Sequence, residues 1–144
     1  MCIRDSADTI KKKVMSMFTD PTHIQVSDPG HVEGNPVFTY LDAFSKPEHF
    51  AAFLPAYANL DELKAHYQRG GLGDMKIKRF LNEVLQSVLG PIRERREYWE
   101  ARKPEVVDIL KEGTARAEAK AAQTLSEVRA AMKINYFEND NLLK

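Results

Sequence analysis

Six basic residues are the strongest candidates for chemistry in this sequence, and all of them fall within one predicted helix. They form two groups, which are Lys76, Lys78 and Arg79, and Arg93, Arg95 and Arg96. Arginine carries a planar fork of N–H donors that fits phosphate oxygens, and its plane can stack on nucleobases. A solvated helix face, paired with the glutamates at positions 94, 97 and 100, is the alternative interpretation. Residues three apart share a helix face, so we expect Arg93 and Arg96 to act together and Arg95 to contribute less.

Two further patterns allow the same choice between a binding surface and ordinary structure. The consecutive lysines 11–13 could contact RNA or could simply face solvent. Tyr98 and Trp99 could be platforms on which bases stack, although an aromatic residue at helical spacing is more often part of a core.

Sites of other kinds find little support in the sequence. Glycines 70, 71 and 73 lack both the preceding strand and the Lys-Ser/Thr pair of a phosphate-binding loop, so they predict a helix end followed by a hinge. None of the four histidines pairs with another ligand at metal-binding spacing, and no Ser-His-Asp set can be singled out. We therefore predict no catalytic residue and no metal site.

Composition places the chain among ordinary globular proteins. Its 21 basic and 21 acidic residues give a formal net charge of zero, which argues weakly against a general nucleic-acid binder but allows a local basic face. The single cysteine, Cys2, excludes an intrachain disulfide and any cysteine-rich metal site. No apolar run approaches the roughly 20 residues of a membrane span, and residues 1–6 do not look like a signal peptide.

The basic groups are positioned by a long helix that begins near Asp74, the expected N-cap, and ends near Arg102. Its apolar residues recur at helical spacing; they are Ile77, Phe80, Leu81, Val84, Leu85, Val88, Leu89 and Ile92. Pro91 predicts a kink or a short break.

Shorter helices precede this one and a long alanine-rich helix follows it. Caps and prolines predict helices that start near Ser6, Pro36, Pro47 and Asn59. A loop is expected from Asp20 to Pro36, and a final helix from Pro104 to about residue 134. The fold class is thus all-α: a bundle of about five or six helices without strands, in which the kinked 74–102 helix packs on the 104–134 helix.

Three stretches together resemble the C-terminal part of bacterial tryptophanyl-tRNA synthetases. They are DTIKKKVMSMFTDPTHIQVSDPGHVEGNPVFTYLDAF, YQRGGLGDMKIKRFLNEVLQSVLGPIRERR and AAMKINYF, and they stand in the order of the family. The resemblance implies that residues 7–137 form the helical, anticodon-binding domain of a class I aminoacyl-tRNA synthetase. Residues 138–144 would be a tail, and residues 1–6, MCIRDS, do not fit the family.

The same resemblance implies a function for the whole protein: it activates tryptophan with ATP and magnesium and charges tryptophan tRNA. It further implies a cytoplasmic homodimer that does not bind membranes. Both ATP motifs of the family, His-Ile-Gly-His and Lys-Met-Ser-Lys-Ser, are missing here. We therefore expect a truncated product that binds tRNA but has no cofactor and no activity of its own. A helical protein-interaction module is the alternative.

Overall fold

The computed structural model describes residues 4–136, and this part of the chain contains helices and no strands. The helices are α1 (Ala7–Met15), α2 (Pro36–Phe44), α3 (Pro47–Phe53), α4 (Leu60–Arg69), α5 (Asp74–Glu100) and α6 (Lys103–Ala131). The prediction of an all-α fold with about six helices is confirmed. The predicted boundaries at residues 7 and 137 are not tested by this architecture, and residues 137–144 lie outside the described part.

Polar side chains begin α1, α2 and α4, and the sequence predicts two of these caps, Ser6 and Asn59. The Ser6 hydroxyl accepts from the Thr9 amide at 3.2 Å, and the Asn35 side chain accepts from the Val37 amide at 3.0 Å. At α4 the Asn59 side chain accepts from the Glu62 amide, but the Glu62 carboxylate accepts from the amide of residue 58 instead of that of Asn59. The expected capping box is therefore formed by one of its two bonds, with the second displaced by one residue.

The core lies along one face of α5. Its buried apolar residues are Ile77, Phe80, Leu81, Val84, Leu85 and Leu89, which are six of the eight predicted. Ile10 and Val14 of α1 are fully buried with them, as are Leu41 of α2 and Leu63 of α4. Of the kink or short break predicted at Pro91, the break does not occur, because α5 continues through Pro91 to Glu100.

The loop between α1 and α2 packs closely on the turn between α4 and α5. The Gly71 amide donates to the Val26 carbonyl at 2.7 Å, and the Gly30 amide donates to the Tyr67 carbonyl at 3.0 Å. Gly70 has a φ of 88°, and a side chain there would overlap the carbonyl of Ser27. Gly70 is thus required for the close approach of the two backbones.

The chain divides into two compact units, of which the first ends at Arg96 and the second begins at Glu97. The second unit is built mainly from α6, and no residue of that helix is buried. Large apolar side chains remain exposed on it, including Leu110, Leu125 and Val128. The sequence analysis expects the 74–102 helix to pack on the 104–134 helix, and that packing stays a prediction.

Candidate functional site

The six predicted basic residues do not form one cluster. One group lies in the first two turns of α5 and the other in its last three turns. At 1.5 Å per residue, the 14 positions from Arg79 to Arg93 correspond to about 21 Å. Any ligand that contacts both groups must be extended along the helix.

Lys78 is not a surface lysine, which corrects its predicted place in the site. It is only 8% exposed, and its ammonium donates to the carbonyl of Met17 at 2.7 Å and to that of Met15 at 3.2 Å. These carbonyls lie at and just beyond the end of α1, where the helix dipole favours a cation. Lys78 therefore satisfies the C-terminus of α1 and is not available to a ligand.

The other two members of the first group are exposed. Lys76 and Arg79 both lie on the solvent side of α5. The Lys76 ammonium is 5.7 Å from the centre of the Tyr57 ring, within the range of a cation–π contact. This group therefore presents two cations to solvent.

Arg93 is held within a polar network. Its Nη2 donates to the Gln86 side-chain oxygen at 2.7 Å, while the Gln86 amide nitrogen donates to the Ala7 carbonyl at 3.0 Å and to the Asn82 oxygen at 3.2 Å. Arg93 Nη1 is buried and makes no hydrogen bond within the described structure. Gln86 thus joins α5 to the start of α1, and Arg93 is engaged with that link through Gln86. Its surroundings therefore differ from those expected for a surface pair with Arg96.

Arg95 and Arg96 are exposed on the last turns of α5. In that position their guanidinium groups can reach phosphate oxygens while their stems remain on the helix. Together with Lys76 and Arg79 they make four exposed cations among the six candidates.

Two aspartates in the first unit are held by hydrogen bonds that the sequence analysis missed. Asp74, predicted as an N-cap, is the first residue of α5, and its carboxylate lies 2.9 Å from His23 Nδ1 and accepts from the Tyr67 hydroxyl at 2.8 Å. Burial opposes the charged form of Asp74, but bonds from Thr19, Tyr67 and His23 outweigh it and lower the pKa. Burial also raises the pKa of the Tyr67 hydroxyl, and the bond to Asp74 adds to that effect.

Asp20 organises the loop between α1 and α2. It accepts from the Thr22 hydroxyl at 2.6 Å, from the Thr22 amide at 2.9 Å and from the His31 amide at 2.7 Å. His31 Nδ1 lies 2.6 Å from the same carboxylate. The bonds from Thr22 are the main reason that the pKa of Asp20 is far below its ordinary value. These bonds hold backbone in place, so the aspartates and histidines have structural roles here.

An apolar groove of about 480 Å³ lies between α2 and α5. It is lined by Thr39, Tyr40, Ala43, Phe44, Leu85, Val88, Leu89 and Ile92. No titratable group other than Tyr40 lines it, so it offers no acid–base pair. Within residues 4–136, no three His, Cys, Asp or Glu side chains come together to hold a metal ion, and no helix is long and apolar enough to cross a membrane.

Comparisons with known proteins point to one kind of enzyme. No family model matches the chain. It is 56% identical over 137 residues to the tryptophan–tRNA ligase of Clostridium longisporum, 54% over 136 residues to that of Lactococcus lactis, and 51% over 135 residues to that of Streptococcus pneumoniae. These matches cover 94–95% of the chain and 38% of each relative. The chain therefore spans well under half the length of the curated relatives it matches.

A solved structure supports the same relationship at the level of fold. The tryptophanyl-tRNA synthetase from Campylobacter jejuni superimposes with a TM-score of 0.69 at 24% identity, over 91% of this chain and 38% of that one. The resemblance to tryptophanyl-tRNA synthetases that the sequence suggested is confirmed: this chain is homologous to a part of that ligase.

Proposed function

We propose that this chain is the C-terminal, tRNA-binding part of a tryptophan–tRNA ligase. The whole protein would activate tryptophan with ATP and magnesium and transfer it to tryptophan tRNA, acting as a homodimer. The observation that carries the proposal is the identity of 56% over 95% of the chain. Tryptophan and ATP would bind the part of the ligase that lies outside this sequence.

The exposed cations of α5 would contact the RNA backbone. Arg95 and Arg96 form the first contact region, and Lys76 and Arg79 form a second one further along the helix. Arg93 would contribute both to RNA contact and to the network around Gln86. Lys78 would act only indirectly, by holding the C-terminal end of α1 against α5.

A chimera tests the ligase assignment. The chain would replace the matching segment of the Lactococcus lactis relative, to which it is 54% identical. The chimera should charge tryptophan tRNA, and a control chimera with an unrelated helical domain should not. A well-folded chimera that activates tryptophan but cannot charge tRNA would contradict the proposal.

A binding titration tests the RNA surface of the isolated chain. Each phosphate contact that is lost should flatten the dependence of log affinity on log salt by about 0.7 for single-stranded RNA. The double substitution Arg95→Ala with Arg96→Ala should therefore weaken binding of labelled tryptophan tRNA and reduce the salt slope together. The matched control is Arg116→Ala with Lys120→Ala, which removes the same charge from exposed positions of α6.

Equal effects of the two double variants would show that only net charge matters and that α5 is not the interface. An unchanged affinity and slope would mean that the α5 cations are a solvated face.

One observation favours a different function, that of a helical protein-interaction module. The apolar side chains of α6, such as Leu110, Leu125 and Val128, are between 45% and 63% exposed. Sedimentation of the chain with and without tRNA separates the two candidates. If Leu125→Glu abolishes a stable association of the chain with itself while tRNA binding is undetectable, the interaction module is the better assignment.

A further inference from the structure

Two adjacent aromatic residues project from the start of the second unit, and both are substantially exposed. Tyr98 is 50% exposed and Trp99 is 41% exposed. Their ring centres are 5.2 Å apart and their planes meet at 88°, which is an edge-to-face contact. An aromatic residue on a helix is expected to face the core, so this degree of exposure for a neighbouring pair needs an explanation.

The pair is held in place by an arginine. The guanidinium carbon of Arg102 lies 3.7 Å from the centre of the Tyr98 ring, and Nη1 donates to the Tyr98 carbonyl at 3.2 Å. The stacked guanidinium covers one face of Tyr98, and Tyr98 in turn supports the indole of Trp99. Trp99 is thus a preorganised flat surface, which lowers the entropic cost of binding another flat group.

The charges around this surface indicate how a partner would bind. Arg102 Nε is 3.6 Å from the Glu105 carboxylate, and Lys103 Nζ is 3.9 Å from that of Glu100. Arg102 and Lys103 are each close to a carboxylate, so the surface around Trp99 is not suited to binding phosphate groups. An apolar protein partner would have to cover these charges, at a considerable desolvation cost. A nucleobase can stack on the indole and leave the charges in water.

We infer that Trp99, supported by Tyr98 and Arg102, is a stacking site for an unpaired nucleobase of bound RNA. This inference rests on the proposed function, because the exposed cations of α5 would supply the phosphate contacts. Stacking adds affinity with little dependence on salt, whereas phosphate contacts produce the salt dependence. The two kinds of contact can therefore be measured separately.

Trp99 is the only tryptophan of the chain, so its fluorescence reports on its own surroundings. The probes are a labelled hairpin RNA with an unpaired loop and a fully paired duplex with the same stem. Anisotropy of the label measures binding, and quenching of the tryptophan emission measures stacking. The hairpin should quench the emission on saturation, and the duplex should bind more weakly and leave the emission unchanged.

Substitutions complete the test. Loss of one stacked base corresponds to about a fivefold to 150-fold weakening, so Trp99→Leu should weaken hairpin binding by that factor without changing the salt slope. Trp99→Phe should recover part of the affinity. The matched control is Phe18→Leu, which alters an exposed aromatic residue of the first unit and should leave hairpin binding unchanged.

The outcomes separate this inference from the proposed function. If adding the protein changes the label anisotropy of neither RNA, the proposed RNA binding is wrong, and the stacking site is then wrong as well. If the hairpin binds but the emission stays constant and Trp99→Leu keeps the parent affinity, only the stacking site is wrong. A shift of the tryptophan emission maximum with protein concentration, in the absence of RNA, would overturn the inference in favour of self-association at Trp99.

Discussion

Replacing Leu81 or Leu85 by alanine removes the same three carbon atoms from the same stripe of α5, but from two different surroundings. Leu81 is fully buried and Leu85 is 2% exposed, so exposure alone does not distinguish them. Leu85 lines the apolar groove between α2 and α5, whereas Leu81 is not part of its wall. The space left by a shortened residue 81 is therefore enclosed, and the space left by a shortened residue 85 adjoins a groove of about 480 Å³.

The expected costs follow from this difference. Transfer of three buried carbons is worth about 2.4 kcal/mol at roughly 0.8 kcal/mol each. Buried Leu→Ala changes cost about 2.7 to 5.0 kcal/mol in total, so the cavity left behind adds up to about 2.6 kcal/mol. We expect Leu81→Ala to lower the free energy of unfolding by about 4 to 5 kcal/mol. Leu85→Ala should cost about 2.5 to 3.5 kcal/mol, because solvent and neighbouring side chains can enter the opened space.

Urea unfolding followed by far-UV circular dichroism measures both variants. Lys12→Ala, a change at an exposed position of α1, is the control and should stay within about 0.5 kcal/mol of the parent. If Leu85→Ala costs as much as Leu81→Ala, the groove does not relieve the cavity and the reasoning is refuted. If both leucine variants unfold with nearly the same free energy as Lys12→Ala, then Leu81 and Leu85 are not part of the hydrophobic core.

Three other results are expected. Stability should fall as pH drops below about 4, because folding lowers the pKa values of Asp20 and Asp74 and the unfolded chain therefore protonates these two carboxylates at a higher pH than the folded chain does. Asp20→Asn should make the urea midpoint less dependent on pH. Gly30→Ala should lower the thermal midpoint, since a methyl group there would overlap the Tyr67 ring, whereas Gly113→Ala should raise stability by about 0.5–1 kcal/mol because its surroundings are open and the helix gains a better former. The chain alone should not exchange labelled pyrophosphate into ATP in the presence of tryptophan, and exchange above the blank would contradict the proposal that adenylation needs the rest of the ligase.

Local features of the fold could be predicted because they depend on residues close together in the chain. The period of apolar residues in α5 identifies its buried face, since residues three and four apart share a side of a helix. Ser6 and Asn59 cap the helices that follow them, because their side chains reach amides only three residues away. Neither inference requires knowledge of the tertiary structure.

Contacts between distant segments could not be predicted in the same way. Asp74 has the residue type and position of an N-cap, yet its carboxylate bonds with His23, which lies 51 residues earlier in the chain. The loop that carries His23 reaches Asp74 only because glycines such as Gly70 allow close packing of the two backbones. No spacing of residues in the sequence predicts the contact between His23 and Asp74, and so the structural role of His23 was missed.

The candidate site shows the same limit, and it has a functional consequence. A polar position on an amphipathic helix is expected to face solvent, and Arg95 and Arg96 do so. Lys78 occupies such a position as well, but the end of α1 lies over it and uses its ammonium. Arg93 is similarly engaged through Gln86. Removing the charge of the exposed Arg95 should therefore change RNA binding while altering stability by no more than about 0.5 kcal/mol. Removing the charge of Lys78 or Arg93 leaves their hydrogen-bond partners unsatisfied, which should lower stability. A loss of RNA binding in either variant therefore shows a lost RNA contact only if the variant is as stable as the parent.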